Sequence, residues 1–295
     1  MFFKKKKSRE QVSVVNATSK DIIQSMDNMI SCYWWDTSLN FGDWIGPWII
    51  SLKSGKNVVN TKNIESNSST IFSVGSILHH LPQSSGKVAV WGSGLIKPIT
   101  WRKSWNLKRK MKDVDFIAVR GRLTHQEITS KLKVDVPEIF GDPALLLSKY
   151  YTPKIKKNKK IVLCPHYSHY EDLKQNFLQY DNVNVINLKR DPRDVIEDIV
   201  NAEICVSSSL HGLIIAQTYG IPWIWVRFED NKLAGDCFKF YDFFSTLKDC
   251  PQDHVVVHSI HDFSYDNLVL ASKKAQIFEL SIDLQLLDSA LDSLI

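Results

Sequence analysis

The sequence has no apolar run of the roughly 18 to 20 residues needed to cross a bilayer, which excludes a membrane-spanning helix as an organising element. Phe2-Phe3 is too short to be the core of a signal peptide, so a cytoplasmic protein is expected. The five cysteines, Cys32, Cys164, Cys205, Cys237 and Cys250, are odd in number and include no CxxC pair. Such spacing argues against a disulfide framework and for reduced core residues. Net charge is also scarce outside one segment: of +5 overall, Lys4, Lys5, Lys6, Lys7 and Arg9 against Glu10 put +4 in the first ten residues and leave +1 for the rest. The body is thus nearly neutral, and no nucleic-acid partner is expected. The tail itself either attracts anionic lipid headgroups on the inner face of the plasma membrane, at about 1 kcal/mol per basic residue near the surface, or is a solvated terminus. A dinucleotide fingerprint is missing as well. Gly92-Ser93-Gly94 starts like GxGxxG, but position 97 is Lys97, so only a tight turn with close backbone approach is implied.

What is present is a 295-residue chain, 44% hydrophobic and 23% charged, long enough for one large domain or two of ordinary size. The most informative stretch is Glu203 to Val226, EICVSSSLHGLIIAQTYGIPWIWV. A short apolar run is followed by a polar turn. Leu210, Leu213, Ile214 and Gln217 then recur at helical spacing, and Gly220 and Pro222 stop the pattern before Trp223 to Val226. This is a βαβ unit, the signature of a parallel sheet. At its strand-to-helix junction lie Ser207, Ser208, Ser209 and His211. Unpaired N–H groups and the positive end of the helix dipole meet there, so an anion such as phosphate is the natural guest.

Similar alternation runs along the chain. A helix capped by Thr18 or Ser19 is expected through Ile30, then a strand from Cys32 to Trp35. Asn40-Phe41-Gly42-Asp43 leads into a helix with Pro47 near its first turn, which places Asp43 at or just before the helix start. Asn60 to Ser69 reads as a surface loop, while Thr70 to Val74, Lys87 to Trp91 and Asp115 to Val119 read as strands. Trp101 to Lys112 is basic and contains Trp105. It suits a nucleic acid or a sugar face, but a solvated amphipathic surface explains it more simply. Arg120 and Arg122 follow a strand end, where guanidiniums can fork onto phosphate or carboxylate oxygens. Asp142 precedes Pro143 at the start of a short apolar helix, and caps it at the least.

Tyr151 to Lys160, YTPKIKKNKK, has little to bury and is the best linker candidate. The expected organisation is a basic tail at 1–10, an N-terminal α/β domain at 11–152, a linker at 153–160, a C-terminal α/β domain at 161–260 and a helical segment at 261–295. Ligands are expected in the cleft between the two α/β halves. Cys164, His166 and His169 are close in sequence, but a strand end and a turn would have to direct all three inward with no fourth ligand nearby, so no metal site is expected. His166, at a strand's carboxyl end, is instead a ligand-facing polar residue.

Taken together, NFGD at 40–43, VGS at 74–76, WGSGL at 91–95, VRGRLT at 119–124, GDPALLL at 141–147, PH at 165–166, SSSLHGLIIAQTYGIP at 207–222 and KFYDFFS at 239–245 resemble the polysaccharide pyruvyl transferase family in order and spacing. The resemblance implies an α/β fold of two Rossmann-like domains facing a cleft (GT-B-like), with C-terminal helices packing back. It further implies transfer of the pyruvyl group of phosphoenolpyruvate to a sugar of a bacterial cell-surface polysaccharide precursor, as a ketal. Phosphoenolpyruvate would be the co-substrate, and neither a redox cofactor nor a metal would be needed. The other partner would be a glycan acceptor, with lipid linkage left open. His211 would be general acid or phosphate partner, Asp43 the base toward the acceptor hydroxyl, and Arg120 the contact to the donor's anionic end. Ser208, Ser209, Gly212, Arg122 and His166 would line the donor side. Asn40, Trp44, Trp101 and Asp142 would line the acceptor side, with Trp44 or Trp101 stacking on the sugar.

One position departs from the family. Many members carry Ser-Arg-Leu-His where this chain has Ser208-Ser209-Leu210-His211, and the arginine is the expected phosphate holder. Candidates for the missing charge are Arg120, Arg122, Lys189 and Arg193. A GT-B glycosyltransferase using a nucleotide sugar and a non-catalytic glycan-binding relative are the competing possibilities.

Overall fold

The computed structural model describes residues 29–295 except 38–39, 64–68, 158 and 252–254. The basic tail and most of the helix expected after Thr18 or Ser19 lie outside these residues. Strands β1 (Met29–Tyr33), β2 (Asn57–Asn60), β3 (Thr70–Phe72), β4 (Val88–Trp91) and β5 (Val114–Ala118) form one sheet in the order β2-β1-β3-β4-β5. Strands β6 (Lys159–Cys164), β7 (Val183–Val185), β8 (Ala202–Ser207), β9 (Trp223–Phe228) and β10 (Val255–Val257) form a second, in the order β10-β9-β8-β6-β7. Every pairing is parallel. Counted from its own first strand, each sheet has the doubly wound order 2-1-3-4-5, with a topological switch point between its first and third strands. The protein is thus an α/β fold of two Rossmann-like sheets, GT-B-like in architecture.

Helices α1 (Phe41–Ser54), α2 (Trp101–Lys110), α3 (Arg122–Leu132), α4 (Leu147–Tyr150), α5 (Tyr170–Phe177), α6 (Pro192–Val200), α7 (Leu210–Thr218), α8 (Phe238–Phe244), α9 (Tyr265–Ser272) and α10 (Leu284–Ser289) cover the sheets. None of the described helices is long and apolar enough to cross a membrane. Several expectations shift. Ile30 belongs to β1 rather than to a helix, and β2 occupies 57–60 at the sheet edge, where NVVN is too short to show a period. Pro47 is the seventh residue of α1, not part of its first turn. It has no N–H to return to the carbonyl of Asp43 four residues earlier, so that oxygen loses its helical partner.

Helix α7 is buried almost all round, from Leu210 through Gln217 except His211. Such a helix has apolar neighbours on both sides. One buried cluster includes Ile45 and Ile49 of α1, Ala144 to Leu147, Val195 and Ile196 of α6, and Leu213 and Ile214 of α7, so a single core runs through both halves. Each fully buried isoleucine or leucine contributes about 1.5–3 kcal/mol to holding it together.

The C-terminal segment packs back on the first half. Trp91 Nε1 donates to Leu287 O at 2.7 Å. Asp288 accepts from Tyr150 Oη at 2.6 Å and pairs with Lys53 at 2.9 Å and Lys149 at 2.5 Å. Burial alone would raise the Asp288 carboxyl, but hydrogen bonds from Lys149, Tyr150 and Lys53 outweigh it and hold it below the usual aspartate value. A folded value below the unfolded one gives stability that is present above the unfolded value and lost as pH falls through the folded value. Asp288→Ala should therefore lower the urea unfolding free energy by about 2–3 kcal/mol at pH 7, and the deficit should shrink below about pH 4.

Candidate functional site

The two switch points meet. Residues that follow β1 touch residues that follow β7 and β8: Phe41 N donates to Leu188 O at 2.9 Å, and Gly42 lies flat against the His211 ring. A Cβ at Gly42 would fall 2.2 Å from His211 Nδ1, so only glycine permits this approach. On the other side, His211 Nε2 is 3.7 Å from Asp142 Oδ2. Asp142 is wholly buried. Its Oδ1 accepts from Ala144 N at 3.0 Å, while Oδ2 and His211 Nε2 are buried atoms with no hydrogen-bond partner among the described residues. Asp142 thus caps its turn and also presents a spare oxygen to the histidine.

Asp43 sits in the first turn of α1, with Oδ2 accepting from Asn40 Nδ2 at 3.1 Å. Burial raises its carboxyl above the usual value, partly offset by His211, Asn40 and Lys239. Asn40, Asp43, Asp142 and His211 therefore converge. Asp142 lies against the imidazole and Asp43 is close enough to feel it, with all three half-buried or buried.

The serines divide their tasks. Ser207 Oγ donates to Cys164 O at 2.7 Å and accepts from Ser209 N at 3.0 Å, tying β8 to β6. His169 Nε2 lies 3.0 Å from Asn231 O, which can only accept, so that nitrogen carries the hydrogen. His169 Nδ1 is then an acceptor and takes the Ser208 hydroxyl hydrogen at 3.0 Å, while Ser208 Oγ accepts from His166 N at 3.0 Å. Ser208 has no hydrogen left for a ligand and instead fixes the turn that carries His166. Ser209 is the N-cap of α7, and its hydroxyl makes no hydrogen bond among the described residues. His166 Nδ1 accepts from Ser168 N at 3.3 Å, which puts its hydrogen on Nε2. Burial, Lys239 and His169 pull its value down to about 3, so it is a neutral donor at physiological pH. Gly212 packs its Cα against Cys164 and Ser207, serving the approach of α7 to the sheet.

The expected cations lie differently. Arg120 is 0% exposed: Nε donates to Asp242 Oδ2 at 2.9 Å, Nη1 to Ser76 Oγ at 2.5 Å and Nη2 to Leu95 O at 2.7 Å. Its charge is neutralised by Asp242 of α8, so it joins the halves more than it offers a free clamp. Gly94 lies against its guanidinium, which accounts for the Gly92-Ser93-Gly94 turn. Arg122 reaches Ser245 O at the C-terminal end of α8 and Ser281 O in the segment before α10. Arg193 pairs with Asp191, and Lys189 lies over the Tyr167 ring. Trp44 tilts against Trp34 at the margin of the core. Trp101 is 80% exposed at the start of α2, with Arg102 over its ring.

Two residues escaped sequence reasoning. Asp242 is the buried counterion of Arg120 and also accepts from Thr124 N and Oγ1, both at 2.7 Å. Lys239, three residues earlier on α8, is near Asp43, Arg120 and His166, and burial followed by Arg120 lowers its ammonium to about 8. The only available sign was their i, i+3 spacing within KFYDFFS, which puts both on one helix face.

A family model described as polysaccharide pyruvyl transferase matches residues 4–230. Uncharacterized protein L143 of Acanthamoeba polyphaga mimivirus is 35% identical over 136 residues, 44% of this chain and 47% of that protein. Succinoglycan biosynthesis protein ExoV of Rhizobium meliloti (strain 1021) is 26% identical over 227 residues, 73% of this chain and 64% of that protein. The matched part is thus less than two thirds of each relative's length. A solved structure of an uncharacterized protein from Klebsiella pneumoniae superposes with a TM-score of 0.51 at 16% identity, covering 81% of this chain and 96% of that one, a likeness of fold.

Gly42→Ala tests the packing. Its methyl would push the His211 ring, a movable side chain, rather than backbone. Activity should fall about 100-fold through misplacement of the imidazole, while thermal melting shifts by only a few degrees at about 1 kcal/mol.

Proposed function

Because the chain belongs to the polysaccharide pyruvyl transferase family, we propose that it moves the pyruvyl group of phosphoenolpyruvate onto a sugar of a cell-surface polysaccharide precursor, closing a ketal across two hydroxyls. The observation that carries the residue assignment is His211 Nε2 at 3.7 Å from Asp142 Oδ2, with Asp43 in electrostatic reach of the same ring, at the meeting of the two switch points.

The reaction needs a proton delivered to C3 of the enol, a sugar oxygen added to C2, and a proton removed from that oxygen. Phosphate must then leave C2 as the second hydroxyl attacks. Of the two hydroxyl protons, one is balanced by the new C3–H bond and the other leaves with phosphate. His211 supplies the acid, with the buried Asp142 Oδ2, 3.7 Å from its Nε2, orienting the ring. Asp43 supplies the base. Its raised carboxyl is a better proton acceptor than an ordinary aspartate, and Asn40 holds it in place. The donor's anionic end is received by the first N–H groups of α7, the Ser209 hydroxyl and the Nε2–H of His166.

The decisive assay is phosphate release from phosphoenolpyruvate across a panel of hexose and N-acetylhexosamine glycosides. Thermal protection by phosphoenolpyruvate supports the assignment. Protection by nucleotide sugars alone, with no phosphate release, would replace it with glycosyl transfer. His211→Ala should reduce turnover by at least about 100-fold, and unchanged turnover removes His211 from the chemistry. Asp43→Asn should lose activity comparably yet melt higher at neutral pH. The folded carboxyl titrates above its unfolded value, so stability falls as pH rises through that window and the cost persists at pH 7, where the amide does not incur it.

A further inference from the structure

We propose that Lys239 is the cation that pairs with the anionic end of the donor, a role resting on the donor assignment above. A dianionic phosphate ester bound at a helix N-terminus calls for a mobile cation beside the N–H groups. The charged side chains around the cleft are mostly committed: Arg120 to Asp242, Arg122 to the carbonyl oxygens of Ser245 and Ser281, Arg193 to Asp191, and Lys62 to Asp36 at 3.0 Å. Lys239 makes no hydrogen bond or ion pair among the described residues, and its Nζ lies 5.4 Å from the Phe240 ring centroid.

Its place is fixed by its helix. Asp242 locks α8 to the first half through Arg120 and Thr124, and Lys239 shares that helix face one turn earlier. The titratable and charged groups around it are Asp43 from α1, Arg120 beyond β5, His166 beyond β6 and Asp242 on α8. Asp43 is close enough to be felt but forms no ion pair with it. Two of the proposed reacting or receiving groups, Asp43 and His166, are thus within electrostatic reach of one partly desolvated ammonium. Burial and the Arg120 charge lower that ammonium to about 8, so an arriving anion supplies the counterion the free protein lacks and binds best while Lys239 is protonated.

The test measures phosphoenolpyruvate dissociation constants from pH 6.5 to 9.5, roughly 1.5 units either side of the lysine's value, for the wild type, Lys239→Met and Lys239→Arg. Wild-type affinity should weaken about tenfold per pH unit above pH 8. Lys239→Met should bind about 10- to 100-fold more weakly at pH 7, with that alkaline weakening gone and acceptor KM unchanged. Lys239→Arg should restore binding and stay flat with pH. Melting curves verify folding, which removal of a desolvated ammonium should not impair; Lys239→Gln repeats the comparison if the methionine variant aggregates. Wild-type-like binding and pH dependence in the methionine or glutamine variant overturns the Lys239 role while leaving pyruvyl transfer intact. Failure of the wild type itself to bind phosphoenolpyruvate overturns the donor assignment and this role together.

Discussion

The Arg120–Asp242 pair is the constraint from which the cleft follows. Both side chains are wholly buried, 2.9 Å apart, and belong to different halves of the molecule. Breaking such a pair leaves an uncompensated buried charge at a cost of about 3–5 kcal/mol, although a well-packed apolar pair can be as stable. Its consequence here is registration. Arg120 reaches Ser76 and the Leu95 carbonyl on its own side, while Asp242 takes Thr124 as well, so α8 can dock in only one way against the end of β5. Gly121 lies directly on the Asp242 carbonyl, which leaves no room for a side chain between the two segments.

With that register set, two like-ordered sheets bring their switch points face to face. The first turn of α1, which follows β1, supplies Gly42 and Asp43, and the helix after β8 supplies His211. Asp142 arrives from the first half as well, through the turn before α4. The site therefore has little meaning in either half alone: His211, Asp142 and Asp43 come from three separate stretches. Around the start of α7, burial keeps His166 and His169 uncharged, and Ser208 is spent on holding their turn.

Much of the fold was legible because parallel strands are buried on both faces and read as short apolar runs; Val88 to Trp91 and Ala202 to Ser207 stand out in this way. The edge strand Asn57 to Asn60 did not, since an edge needs no such run. Pro47 misled the placement of α1 because a proline inside a helix is tolerated where the freed carbonyl is accommodated by its surroundings, which local sequence cannot show. Ser208 and Ser209 look equivalent as letters, yet one hydroxyl is committed to His169 and the other is not.

The sequence by itself determined the two α/β halves, the anion-favouring junction at Ser207 to His211, and the NFGD, GDP and KFYDFFS segments as places of interest. Hydrophobic period and turn chemistry are local, and a single chain displays them. Only the tertiary structure decided that Arg120 is neutralised by Asp242, that Asp142 faces His211 and that Lys239, in electrostatic reach of Asp43, has no ion-pair partner among the described residues. Each of these is a relation between side chains far apart in sequence, and charge, burial and partnership come into being only when the two sheets close on one another.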